Sequence, residues 1–138
     1  MSERLLLDTC AFLWMSLGSP IADAASEAVD EAFVTGGSLA VSVMSAWELG
    51  MLVSKGKVST TKPPERWFDE FVQVAELEVE QVNPTILIAS SFLPGKIHTD
   101  PMDRMLIATA RERDMTIVTR DRAILAYADQ GHVRAIAC

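Results

Sequence analysis

Four acidic residues along this chain stand where chemistry could be done: Asp8, Glu48, Asp103 and Asp121. Asp8 closes the apolar run Leu5-Leu6-Leu7 and can serve a site or cap the next helix, a job Thr9 could also do. On a helix over 44–53, positions 44, 48, 51 and 52 share a face, which puts Glu48 in a stripe with Met44, Met51 and Leu52. A carboxylate there is costly unless a charge meets it or the stripe reaches water. Asp103 aligns with Leu106, Ile107 and Ala110, yet as the third residue after Asp100-Pro101 it also suits a capping box or the helix dipole. Asp121, after Thr119-Arg120, can be the cap of a short helix.

Taken together, the four acids fall at strand ends or in helices that follow strands, on one rim. Carboxylates brought close raise one another's pKa, and a cation must offset this. Oxygen-only ligands select hard ions, Mg²⁺ or Mn²⁺. His98 and His132 stand apart, so no zinc constellation is present. Such a site suits phosphodiester hydrolysis, with one ion activating a water and a second stabilising the leaving oxygen. A carboxylate can also orient or deprotonate the attacking water.

The elements that must position these acids follow from the pattern. Strands are expected over 4–8, 38–43, 116–119 and 133–137, with an alternating, half-exposed or edge strand over 77–82. Helices are expected over 11–17, from the Ser19-Pro20 start to about 33, and over 44–53. Others are expected after Pro63-Pro64, over 84–92, from Asp100-Pro101 to 113, and over 121–127. Residues 94–99 read as a loop. Strands alternating with helices imply an α/β domain with a mostly parallel sheet, and one domain spans 1–138. In such sheets, sites form beyond the carboxyl ends of the strands, where Asp8 and Asp121 fall.

Composition sets the limits. A 138-residue chain with 49% hydrophobic residues can bury one core. No apolar run reaches the roughly 18 residues of a membrane span, and Met-Ser-Glu-Arg is no signal peptide. Cys10 and Cys138 form neither a metal spacing nor a disulfide framework, which makes a reducing cytoplasm the expected location. The net charge of −7 argues against extended duplex binding. Two divalent ions would bring it to −3, compatible with a short substrate segment held near the metals.

The segments Leu6-Leu7-Asp8-Thr9, Ser45-Ala46-Trp47-Glu48, His98-Thr99-Asp100-Pro101-Met102-Asp103-Arg104-Met105-Leu106-Ile107-Ala108 and Val118-Thr119-Arg120-Asp121 resemble the PIN-domain nucleases, and most closely the VapC-like toxins of bacterial toxin–antitoxin pairs. The resemblance covers essentially the whole chain. Its most specific part is the block that opens the helix after Asp100. It implies a three-layer α/β/α domain on a five-stranded parallel sheet and a Mg²⁺- or Mn²⁺-dependent endoribonuclease. Its four acidic positions fall on Asp8, Glu48, Asp103 and Asp121. It further implies an RNA substrate, a homodimer, and a cognate antitoxin that wraps the toxin and blocks the site. One departure is Cys10, where many relatives carry His; a small packing role at the helix start is expected for it. Asp100 reads as a cap rather than a fifth ligand.

Other residues carry weaker signals. Arg104 and Arg120 flank the acids; an ion pair propping a carboxylate is preferred over a phosphate contact. Thr9 and Thr119 could bond a metal-bound water or cap, and Ser45 competes with Ser42 as the cap of the Glu48 helix. Trp47 is expected in the core, as are Trp67, Phe68 and Phe71, with a partner groove as the alternative for those three. Lys55, Lys57 and Lys62 read as a solvated loop. Two other functions fit the acids: a catalytically silent PIN-like binding module, and a small metal phosphohydrolase acting on mononucleotides.

Overall fold

The computed structural model describes residues 3–97 and 100–138. His98 and Thr99, which open the most specific block of the sequence, lie outside the described residues. The elements run β1 (Arg4–Leu7), α1 (Thr9–Ser16), α2 (Asp23–Val34), β2 (Ser38–Ser42), α3 (Val43–Ser54) and α4 (Pro64–Val74). They continue with β3 (Glu78–Glu80), α5 (Pro84–Ala89), α6 (Pro101–Arg113), β4 (Thr116–Thr119), α7 (Arg122–Asp129) and β5 (Arg134–Ala137).

The five strands form one sheet in the order β3-β2-β1-β4-β5, and every pairing is parallel. Successive strand side chains alternate between faces. Leu5 and Leu7 therefore join Leu39, Val41 and Val118 on one face, under Phe12 of α1, Ala25 and Ala32 of α2, Leu49 of α3 and Trp67 of α4. Leu6, Ala40 and Ile117 point to the other face, against Leu106 and Ile107 of α6 and Ile124 and Tyr127 of α7. This is the expected three-layer α/β/α arrangement, and it explains why the Leu5-Leu6-Leu7 run has no polar gap: both faces of β1 are covered. The edge position expected for the acidic 77–82 segment holds, shortened to the three residues of β3. Among the described residues, no helix is long and apolar enough to cross a membrane.

Several sequence expectations are corrected. Ser19-Pro20 does not start a helix. Gly18 turns the chain at φ +72°, the Ser19 amide closes the end of α1 on the Trp14 carbonyl at 2.8 Å, and α2 begins only at Asp23, with no side-chain cap. The pair is spent ending one helix rather than opening the next. Ser42, not Ser45, caps α3, so β2 ends one residue early. The helix after Pro84 stops at Ala89 and continues only as turns through Phe92. Trp47 is not in the core; it is 55% exposed on α3. The core reading of the aromatic cluster holds: Trp67 is buried, and Phe68 and Phe71 pack on Phe12 at centroid distances of 5.2 and 5.1 Å. Of the three lysines, Lys62 is ion-paired with Glu70, while Lys55 and Lys57 are exposed.

Candidate active site

The turn from strand to helix places the first and last acids. Asp8 follows β1 in extended conformation, and its Oδ1 accepts the Ala11 amide at 2.7 Å, capping α1. Asp121 lies two residues past β4, and its Oδ1 accepts the Ile124 amide at 3.0 Å, capping α7. Because β1 and β4 are parallel neighbours, both caps stand on the same carboxyl-end rim. The capping and site readings of these acids are therefore compatible. A cap uses one oxygen, and its place at a strand end is what brings the carboxylate to the rim.

Thr119 joins the two. Its hydroxyl donates to Asp8 Oδ2 and accepts the Asp121 amide at 2.9 Å. Thr9 donates to Ser45 Oγ at 2.9 Å, fastening α1 to α3 one turn before Glu48. Asp100 caps α6, accepting the Met102 and Asp103 amides at 2.9 and 3.3 Å, as expected, and Asp103 follows in the first turn.

Asp8, Glu48, Asp103 and Asp121 all line one open pocket of about 340 Å³, together with Cys10, Trp14, Asp100 and Arg120. Glu48 differs from the other three. It lies in the interior of α3, caps nothing, and makes no hydrogen bond or ion pair with any described residue. Trp14 went unremarked in the sequence. Its signal was its spacing, one helical turn after Cys10 on the helix that Asp8 caps.

The electrostatics are those of a crowded anionic pocket. Asp8 is 8% exposed and has no ion pair with a described residue. Burial pushes its pKa up, the bonds from Thr119 and Ala11 pull against that, and the charges of Asp121 and Glu48 raise it further. The Cys10 thiol is pushed up to about 11, first by desolvation within the pocket and then by Asp8, Glu48 and Asp103. It is exposed on the pocket wall rather than packed, and at neutral pH it is a protonated thiol, not a nucleophile.

As they stand, no three His, Cys, Asp or Glu side chains among the described residues converge closely enough to hold an ion between them. The donor set nonetheless suits a hard divalent cation: it is all carboxylate, and its most buried member is held against mutual repulsion.

Of the two flanking arginines, Arg104 donates from Nε to the Ser90 carbonyl at 2.9 Å. Arg120 makes no ion pair with any described residue, contrary to the reading preferred from sequence.

A parallel five-stranded α/β/α domain with acids on the carboxyl-end rim is the architecture expected from the resemblance. The chain belongs to the PIN domain family, whose pattern matches residues 5–130. It is 27% identical over 127 residues to "Ribonuclease VapC22" of Mycobacterium tuberculosis, covering 92% of this chain and 93% of that protein. Its fold is similar to solved structures of toxin–antitoxin proteins. One is VapBC2 from Rickettsia felis bound to a promoter DNA fragment, with a TM-score of 0.71, 17% identity and 98% of each chain covered. Another is VapBC-5 from Mycobacterium tuberculosis, with a TM-score of 0.58, 22% identity and 98% of each chain covered.

Proposed function

We propose that this chain is a divalent-metal-dependent endoribonuclease, the toxin of a toxin–antitoxin pair, with Asp8, Glu48, Asp103 and Asp121 as its metal-holding residues and Mg²⁺ or Mn²⁺ as the ion. The observation that carries the reading is Glu48. A half-buried carboxylate that caps nothing and bonds nothing among the described residues, facing the same pocket as Asp8, has no structural job there. Membership of the PIN family and likeness to a VapC ribonuclease support RNA as the substrate and an antitoxin as a partner.

A bound divalent ion would supply Lewis-acid stabilisation of the phosphodiester and lower the pKa of the attacking water. The chain's own groups do the rest. Asp8 and Asp121 are held by their capping bonds and by Thr119, so neither reorganises when substrate arrives. Glu48, free of other bonds, can accept a proton from a water in the pocket.

With water as the nucleophile, the products carry 5′-phosphate and 3′-hydroxyl ends. The test is to map cleavage ends in total RNA treated with the purified protein in Mg²⁺ or Mn²⁺, with EDTA as control. A 2′,3′-cyclic phosphate end overturns the mechanism. Metal-independent or absent cleavage favours a silent binding module, and hydrolysis of mononucleotides in a parallel panel favours a small phosphohydrolase.

A homodimer belongs to the same proposal. Ile88 and Phe92, at and just after the end of α5, are 63% and 80% exposed, and large apolar side chains left in water within one short segment support a self-association face. Light scattering on the wild type and on Phe92→Asp checks it. The wild type is expected at twice the chain mass and the variant at once. A monomeric wild type removes the dimer from the proposal.

A further inference from the structure

Among the described residues, Arg120 is the only lysine or arginine lining the acidic pocket, and it is exposed. A guanidinium among Asp8, Glu48, Asp103 and Asp121 has every electrostatic reason to fold onto one of them. It does not. Its central carbon lies 3.9 Å from the centroid of the Trp14 ring, and its Nη2 donates to the Pro20 carbonyl at 3.1 Å. The ring contact and the carbonyl bond together restrain the group. The group also lies within bonding reach of the Cys138 side chain. The other N–H donors of this rigid fork can meet an acceptor from outside, in the planar geometry that matches a phosphate. The surrounding charge makes such a group necessary. The chain carries −7, and a phosphodiester approaching the pocket meets the carboxylates of Asp8, Glu48, Asp100, Asp103 and Asp121.

We propose that Arg120, held over the Trp14 ring, receives a backbone phosphate of the RNA strand and seats it beside the acid cluster. This rests on the ribonuclease reading above. Arg120 is then a substrate-binding residue, and Trp14 a positioning residue that acts through it. Neither takes part in bond breaking, so both are expected to act on affinity rather than on turnover.

The probe is a fluorescent pool of random-sequence single-stranded RNA, titrated by anisotropy in Ca²⁺ over a range of salt, with cleavage of total RNA in Mn²⁺ measured in parallel. Arg120→Ala is expected to weaken binding about tenfold and to reduce the slope of log affinity against log salt by about 0.7, the signature of one lost phosphate contact on a single strand. Arg120→Lys should lose less, since it keeps the charge but not the fork. Trp14→Leu should fall between wild type and Arg120→Ala, and adding it to Arg120→Ala should cost nothing more.

The stabilisation of the fold by Mn²⁺ should be unchanged in Arg120→Ala, which separates this role from metal binding. If Trp14→Leu fails to fold, the Arg120 variants and their salt slopes decide alone. Equal affinity and equal slope in wild type and Arg120→Ala overturn the proposal. If the pool is not bound, an equal rate at limiting total RNA overturns it. A wild type that leaves total RNA intact in both Mg²⁺ and Mn²⁺ instead overturns the ribonuclease reading itself.

Discussion

Asp8→Asn is expected to abolish RNA cleavage while making the metal-free protein more stable. The first effect follows from removing one of the carboxylates that would hold the ion. Metal stabilisation of a phosphoryl transition state is worth several kcal/mol, so a loss of at least about a thousandfold in rate, roughly 4 kcal/mol, is expected. The second follows from the direction of the Asp8 shift. Its folded pKa lies above its unfolded value, chiefly because the side chain is buried. A group shifted this way contributes its full stability below the unfolded carboxylate pKa, about 3.9, and loses it as pH rises through the folded pKa. At neutral pH the folded state carries the cost of the buried charge.

Asparagine removes that charge and keeps an oxygen for the Ala11 amide. In EDTA near neutral pH, Asp8→Asn should melt a few degrees higher than wild type, and the gap should close as the pH falls toward about 4. A variant that melts lower at neutral pH would mean that the fold already compensates the Asp8 charge. Retained cleavage would remove Asp8 from the site. Asp100→Ala is the informative control. It removes the bonds to the Met102 and Asp103 amides and should cost about 1 kcal/mol with or without metal.

The second large effect is on the wild type itself. If the acids hold a divalent ion, adding it binds the folded state and relieves the repulsion that Asp121 and Glu48 impose on Asp8. At a free-ion concentration of about 100 Kd the gain is about 2.7 kcal/mol. For a chain of 138 residues that is a rise of about 9 °C in Tm. Differential scanning fluorimetry in EDTA and across millimolar Mg²⁺ and Mn²⁺ measures it directly. Asp103→Ala and Asp8→Asn should respond little. A wild-type Tm that stays flat across both series would end the case for a metal site built from these acids.

Much of this architecture was legible because periodicity carries it. The unbroken Leu5-Leu6-Leu7 run marked a strand covered on both faces, and Asp100-Pro101 marked a helix start, because local chemistry alone decides both. Ser19-Pro20 failed because an N-cap signature says nothing about whether the preceding helix needs the same residues to end. Gly18 and Ser19 were already committed to α1. Trp47 failed for a different reason. Its neighbours on α3 are apolar, and only tertiary packing decides which face of an apolar helix is left in water.

The four acids were each found by type and position, but capping and site duty looked like rivals in the sequence. Only the geometry of two parallel strands, each followed by a capping aspartate, leaves one residue placed for both. The Trp14–Arg120 stack was illegible, because its members are 106 positions apart and meet only after β1 and β4 have paired.

That pairing also governs when the pocket can exist during synthesis. Asp8 leaves the ribosome early, yet its hydroxyl partner Thr119 and its companion Asp121 are translated more than 110 residues later. β1 has β2 available long before β4 arrives, so the amino-terminal part of the domain can begin to order while its rim is still incomplete. Any product of interrupted translation that stops before β4 lacks Asp121, the Thr119 clasp and the Arg120 fork at once. On the proposed function a half-made chain is therefore unarmed, and the cell that makes this protein meets an assembled acid pocket only after translation has passed Asp121.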